Sequence, residues 1–127
     1  MTMNFPADLK YTRDHEWIRV EGNIGTIGVT DHAQGELGDV VYVDIPDASI
    51  SVDQGGTFGS IEAVKTVADL YAPVTGKIVE VNDVNGAPET VNKDPYGAGW
   101  LVKIELANPD ELKGLMGVDE YKALIGQ

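Results

Sequence analysis

The sequence predicts a small, mainly β domain, a sandwich or barrel, closed by a short helical tail. Three observations carry this. Short apolar runs are punctuated by turn residues, with 15 glycines and 6 prolines in 127 residues, which is how short strands joined by tight turns are written. Two of those runs, Lys77–Val81 and Trp100–Leu106, alternate apolar and polar positions, the period of a half-buried strand. After Asn108 the period changes to that of a helix. Strand after strand, without long helical patterns between, argues against a parallel α/β sheet. The length fits a single domain, 1–127.

In order along the chain, Trp17–Val20 is the first predicted strand, and a turn at Glu21-Gly22-Asn23 leads to the second, Ile24–Val29. Thr30 can cap a short helix near 31–37 with Ala33 and Leu37 on one face. Gly35 weakens that helix and Gly38 ends it. Val40–Ile45 reads as a strand stopped by Pro46, and Gly55-Gly56 separates it from Thr57–Val64. Tyr71–Gly76 reads as extended, with a turn at its end. In Lys77–Val81 the alternation sets Ile78 on the face opposite Val79 and Val81. An Asn/Gly/Pro-rich excursion then precedes Trp100–Leu106. The tail, about 109–125, starts with Asn108 as N-cap, Pro109 at the first helical position and Glu111 in the first turn. Leu112, Leu115 and Met116 follow at helical spacing until Gly117, and a second helical piece groups Tyr121, Leu124 and Ile125. Gly38–Val43 and Gly76–Val81 are patterned alike, 38 residues apart, which fits a fold of two related halves.

Composition excludes several functions. Nine Lys+Arg against 21 Asp+Glu give a net charge of -12, a surface that repels phosphate backbones and anionic membranes. No apolar stretch approaches a bilayer span. With no cysteine there is no disulfide, thiolate nucleophile or thiolate metal site. Met1–Pro6 resembles neither a signal peptide nor an arginine-rich transit sequence. A cytoplasmic chain is expected, or a mitochondrial matrix one only after removal of a transit peptide. The net charge favours a monomer through self-repulsion.

The distribution of charge is more informative than its sum. Between Arg19 and Lys77 the only Lys or Arg is Lys65, among nine acids, Glu21, Asp31, Glu36, Asp39, Asp44, Asp47, Asp53, Glu62 and Asp69. A lone amine in such a zone is either an ordinary surface charge or a target that a modifying enzyme selects by shape and surrounding acids.

Around that lysine, Gly59-Ser60-Ile61-Glu62-Ala63-Val64-Lys65 resembles the lipoylation segment of the glycine cleavage system H proteins, a lipoyl carrier family. His15-Glu16-Trp17, Thr30-Asp31-His32-Ala33-Gln34 with Leu37-Gly38-Asp39, Tyr71–Gly76, and Val91–Gly97 with Gly99-Trp100 resemble the same family in register. The resemblance runs in order from about Tyr11 to Tyr121, nearly the whole chain. The resemblance implies a hybrid barrel-sandwich fold of the lipoyl/biotinyl-carrier kind, with a lipoyl hairpin at about 57–72. It implies lipoic acid on Lys65 as N6-lipoyl-lysine, recognised through Gly59, Ser60, Glu62, Ala63 and Val64. It also implies a cleft for the loaded arm, with Glu16 and Asp69 as its acids and Asp14 as a further candidate. No catalytic residue and no metal belong to such a protein. The implied partners are a PLP-dependent glycine decarboxylase that gives up an aminomethyl group and a tetrahydrofolate-dependent aminomethyltransferase that removes it. Dihydrolipoamide dehydrogenase, with FAD and NAD+, reoxidises the carrier, and a lipoyl or octanoyl transferase or ligase loads Lys65. The absence of cysteine then has a reason, since the redox sulfurs arrive on the cofactor.

The sequence departs from the family in a shortened Asn82–Pro88 loop and in Gly35. His15 and His32 are read as structural hydrogen-bonding groups, with proximity to the cleft as the alternative. Trp17, Tyr42, Trp100 and Tyr121 are read as core or helix-docking aromatics. Gly55-Gly56 is not a phosphate loop, because no Gly-Lys-Ser/Thr follows. Three other functions stay open at this level: a generic lipoyl or biotinyl domain, a relay of octanoyl or lipoyl groups to other complexes, and an acidic β-rich adaptor whose lysine is unmodified. Val64-Lys65-Thr66 lacks the Met-Lys-Met and Asp-Lys-Ala settings usual in biotinyl and acyltransferase lipoyl domains.

Overall fold

The computed structural model describes residues 4–46 and 50–127; Met1–Met3 of the N-terminal reading and Asp47 of the acidic stretch lie outside them. Two antiparallel sheets face each other. The larger runs β1(Lys10–Tyr11), β2(Glu16–Glu21), β3(Ile24–Val29), β9(Val102–Leu106), β8(Gly76–Val81), β5(Ser51–Val52), in that spatial order. The smaller is β4(Val40–Asp44), β6(Thr57–Ala63), β7(Val67–Tyr71). The predicted sandwich is present, with the main core between the sheets. Ile18, Ile27, Ile78, Val102 and Ile104 come from one side, and Val43, Phe58, Ile61 and Leu70 from the other.

The turn at Glu21-Gly22-Asn23 joins β2 to β3 as the sequence predicts, pairing Glu21 with Ile24. In the same pair Trp17 lies opposite Gly28. A Cβ on Gly28 would come within 2.7 Å of the Trp17 ring, so only glycine lets the fully buried indole lie flat on β3. Its Nε1 donates to the carbonyls of Val29 and Pro95, at 3.0 and 3.1 Å. This meets the requirement that a buried N–H be paired.

Helix α1(Asp31–Leu37) matches the predicted span, and Thr30 Oγ1 caps it by accepting from the Ala33 amide. The tail corrects the sequence reading. Pro109–Gly114 is a 3-10 helix capped by Asn108, and it ends before Leu115 and Met116 rather than carrying them. Met116 instead exchanges backbone hydrogen bonds with Tyr11, at 2.8 and 2.9 Å, so a long-range bridge overrides the local helical spacing. In α3(Val118–Leu124), Tyr121 is fully buried and stacks on Tyr11 with ring centroids 4.8 Å apart. Leu124 faces solvent, against expectation, because one short helix turns only its Tyr121 side to the body.

The similarity of Gly38–Val43 and Gly76–Val81 has a structural counterpart. The register of β4 shifts between Val40 and Tyr42 and that of β8 between Ile78 and Glu80, so both strands bulge at equivalent valines, Val41 and Val79, both exposed. The bulge in β8 corrects the strict alternation: Val79 is out while Val81 packs on the core, because an extra residue resets the facing of those after it.

The Asn82–Pro88 loop has a definite task. Asn85 Oδ1 accepts from the Val43 amide and its Nδ2 donates to the Val43 carbonyl, both at 2.8 Å. A side-chain amide thus occupies the outer edge of β4 as a neighbouring strand would, which keeps that edge from pairing elsewhere. Asn85→Ala is expected to lower stability by about 1 kcal/mol and to raise aggregation, measured by urea unfolding and light scattering.

Candidate functional site

β6 and β7 form a hairpin whose strands pair from Thr57↔Tyr71 to Glu62↔Val67, matching the expected 57–72 hairpin. Reading residue by residue found no strand in Val67–Tyr71. The tip is Val64-Lys65-Thr66, closed by the Ala63 amide donating to the Thr66 carbonyl at 2.8 Å. The Val64 amide donates to the Asp39 carbonyl at 3.0 Å, tying the tip to the body. Lys65 is exposed there, with Val64 and Val67 exposed on either side. Of the segment expected to be recognised, Glu62 points to solvent and Ala63 inward. A Cβ on Gly59 would strike the Asp44 carbonyl at 2.6 Å, so Gly59 is needed for β4 to approach β6.

Beside the hairpin lies a cleft of about 250 Å³. Asp14, Glu16 and Asp69, predicted from segments far apart in sequence, all line it. Its apolar wall is built by Val29, Ala33, Leu37, Ile61, Ala68 and Leu70. Thr66, next to Lys65, lines it too, so the tip opens directly onto the cleft. Sequence reading missed Glu36, a fourth acid at the cleft; its helical spacing from Ala33 and its place before Leu37 were the available signal.

Glu16 is the unusual member, only 2% exposed. Its Oε2 accepts from the Tyr71 amide at 2.8 Å, while Oε1 is buried with no hydrogen-bond partner among the described residues. Burial pushes its pKa well above the ordinary carboxylate value; the Tyr71 hydrogen bond opposes this and the Asp14 charge adds to it. An orphaned carboxyl oxygen of this kind is costly unless something arrives to pair with it.

His15 sets this acid in place. It adopts a left-handed backbone, φ 67, which is uncommon outside glycine, and so turns the chain between Asp14 and Glu16. Its amide donates to the Thr12 carbonyl and its carbonyl accepts from the Thr30 amide. Its Nδ1 lies 2.8 Å from the Tyr121 hydroxyl, which is also 2.7 Å from Thr30 Oγ1. The structural role expected of His15 is present, and its ring lines the cleft as well. His32 packs against it with ring centroids 4.8 Å apart. Burial, then the neighbouring His32, lowers the His15 pKa. Among the described residues no group of three or more His, Asp or Glu is gathered as a metal site. Nor is any helix there long and apolar enough to cross a membrane.

An apolar trough ringed by acids, opening beside an exposed lysine, suits a long methylene arm with a positively charged or proton-sharing end.

Residues 9–127 match the family described as Glycine cleavage H-protein. A glycine cleavage system H protein of Staphylococcus haemolyticus is 51% identical over 126 residues, covering 98% of this chain and 100% of the relative. One of Staphylococcus saprophyticus is 49% identical at the same coverage. The crystal structure of a glycine cleavage system H protein from Mycobacterium marinum superposes with a TM-score of 0.87 at 38% identity, covering 97% of this chain and 100% of that one.

Proposed function

Because the chain belongs to the glycine cleavage H-protein family, and is therefore a non-catalytic lipoyl carrier, we propose that Lys65 bears the lipoyl group and that the adjoining cleft receives it. The single observation that carries this reading is the orphaned, buried Oε1 of Glu16 in a cleft that opens at the lysine-bearing tip. The residues fit the group: an exposed amine for amide linkage, an apolar wall for the methylenes, and acids for an amine at the far end. When bound, lipoamide supplies a reducible disulfide to which a one-carbon amine can be transferred.

The chain's own residues do the remaining work. The hairpin fixes the point from which the arm swings, and the Asp39–Val64 hydrogen bond holds that point against the body. Val29, Leu37, Ile61 and Leu70 exclude water from the end of the arm. Burial favours the protonated form of Glu16, which can give its proton to an arriving amine and become ionised beside it, since a facing cation favours the carboxylate. Asp14 and Asp69 reinforce that cationic preference from the rim. Amide formation at Lys65 removes its charge and leaves a neutral tether over an acidic surface.

In this proposal the decarboxylase, the aminomethyltransferase and the dihydrolipoamide dehydrogenase each meet the same protruding arm, after a lipoyl or octanoyl transferase or ligase has loaded it. Reconstitution tests it. The lipoylated chain, added to a PLP-dependent glycine decarboxylase, is expected to support exchange of bicarbonate carbon into glycine. A lipoylated chain that supports no exchange yet passes its acyl group to other lipoyl domains would make the protein a relay.

A further inference from the structure

Gly38 ends α1 at φ 80 and ψ -158, a conformation open mainly to glycine. Sterics add a second demand. A Cβ at Gly38 would lie 2.8 Å from Lys65 Cε and 3.5 Å from its Nζ, so the lysine stem lies against the bare face of this glycine. The peptide on which it rests is held firmly. Asn92 Nδ2 donates to the Gly38 carbonyl at 2.8 Å and to Gln34 Oε1 at 3.0 Å, while Asn92 Oδ1 accepts from the Val40 amide at 2.9 Å. All four of the side chain's hydrogen-bonding directions bar one are thereby used on the segment that carries Gly38. Asn92 comes from α2(Thr90–Lys93), a single turn that the sequence reading did not assign. The residues just before Gly38, Glu36 and Leu37, line the cleft, so a stem lying on Gly38 runs beside the cleft mouth.

We infer that Gly38, fixed by Asn92, is a positioning residue for the carrier arm: its missing side chain seats the Lys65 stem against the body beside the cleft. This rests on the assignment of Lys65 as the carrier lysine. Gly38→Ala places a methyl where the stem lies and lifts the arm away, while leaving the hairpin tip and its recognition segment intact. Gly55→Ala is the control, since Gly55 also has a positive φ, 82, but nothing lies within 4 Å of its added Cβ. It puts an alanine at a positive φ without touching the arm.

The test uses the full chain. In the unmodified and the lipoylated wild type, nuclear Overhauser contacts are expected between the Gly38 α protons and the Lys65 ε-methylene. Gly38→Ala is expected to remain lipoylated by intact mass but to lose a bound one-carbon amine about five-fold or more faster, a coupling of ordinary size. Gly55→Ala should lose it at the wild-type rate. Absence of the Overhauser contact in the wild type, which needs no variant to fold, would overturn the inference. So would equal loss rates in the two alanine variants. A wild type that shows the contact but takes up no lipoate would keep the seat and remove the carrier role.

Discussion

Lys65→Ala is expected to abolish uptake of lipoate altogether, while leaving the fold intact. The side chain is exposed at the hairpin tip, and the tip is closed by backbone bonds from Ala63 to Thr66 and from Val64 to Asp39, which alanine keeps. Stability should therefore stay within about 0.5 kcal/mol of the wild type, as for most surface substitutions. Modification, by contrast, has no substitute site in the same setting: Lys10, Lys77 and Lys103 lie within strands and Lys93, Lys113 and Lys122 within helical segments, none of them at the tip of this hairpin. Intact mass after expression with lipoate and a lipoyl ligase, together with urea unfolding, checks both halves. A retained adduct on the variant would show that the carrier lysine lies elsewhere.

Glu16→Gln is expected to act in opposite directions on stability and on arm protection. Burial raises the pKa of this carboxyl well above its ordinary value and so favours the protonated acid, which glutamine resembles in shape. It can still accept from the Tyr71 amide. The sign of the pH dependence follows from linkage. An acid whose folded pKa is raised binds its proton more tightly when folded. Its contribution to stability is fully present below the unfolded pKa and is lost as pH rises through the folded pKa. Glutamine has no such loss. The variant should match the wild type near pH 4 and become progressively more stable than it as pH rises, read by thermal unfolding across pH. The loaded arm should fare worse, because glutamine cannot provide a carboxylate to an ammonium. Losing a charge-assisted hydrogen bond worth about 1.5–3 kcal/mol corresponds to about 10–150-fold faster loss of the amine. A variant that protects the amine as well as the wild type does would remove Glu16 from the proposed role.

Particular residues explain why so much of the site could be read from the sequence. Thr30, Leu37 and Gly38 mark a helix by local chemistry, and the structure places it at Asp31–Leu37. Asp14, Glu16 and Asp69 were brought together by resemblance, and they do share one cleft. What escaped was decided by distant partners. β1 and β5 are two residues each, too short to show a period. α2 is one turn whose purpose, presenting Asn92 to Gly38, exists only in three dimensions. Val79 broke the alternation because β8 bulges, and Leu115 and Met116 left the helix because Tyr11 offered Met116 a strand-like partner. Glu16's raised pKa and orphaned oxygen likewise come from its burial beside β7, which its place next to Trp17 in the sequence does not reveal.

Peptide-resolved mass spectrometry of the lipoylated wild-type chain tests the carrier site most directly. The expected result is a lipoyl adduct on Lys65 and on no other lysine of the seven. An adduct on any other lysine, or no adduct under conditions that lipoylate a known carrier, would contradict it.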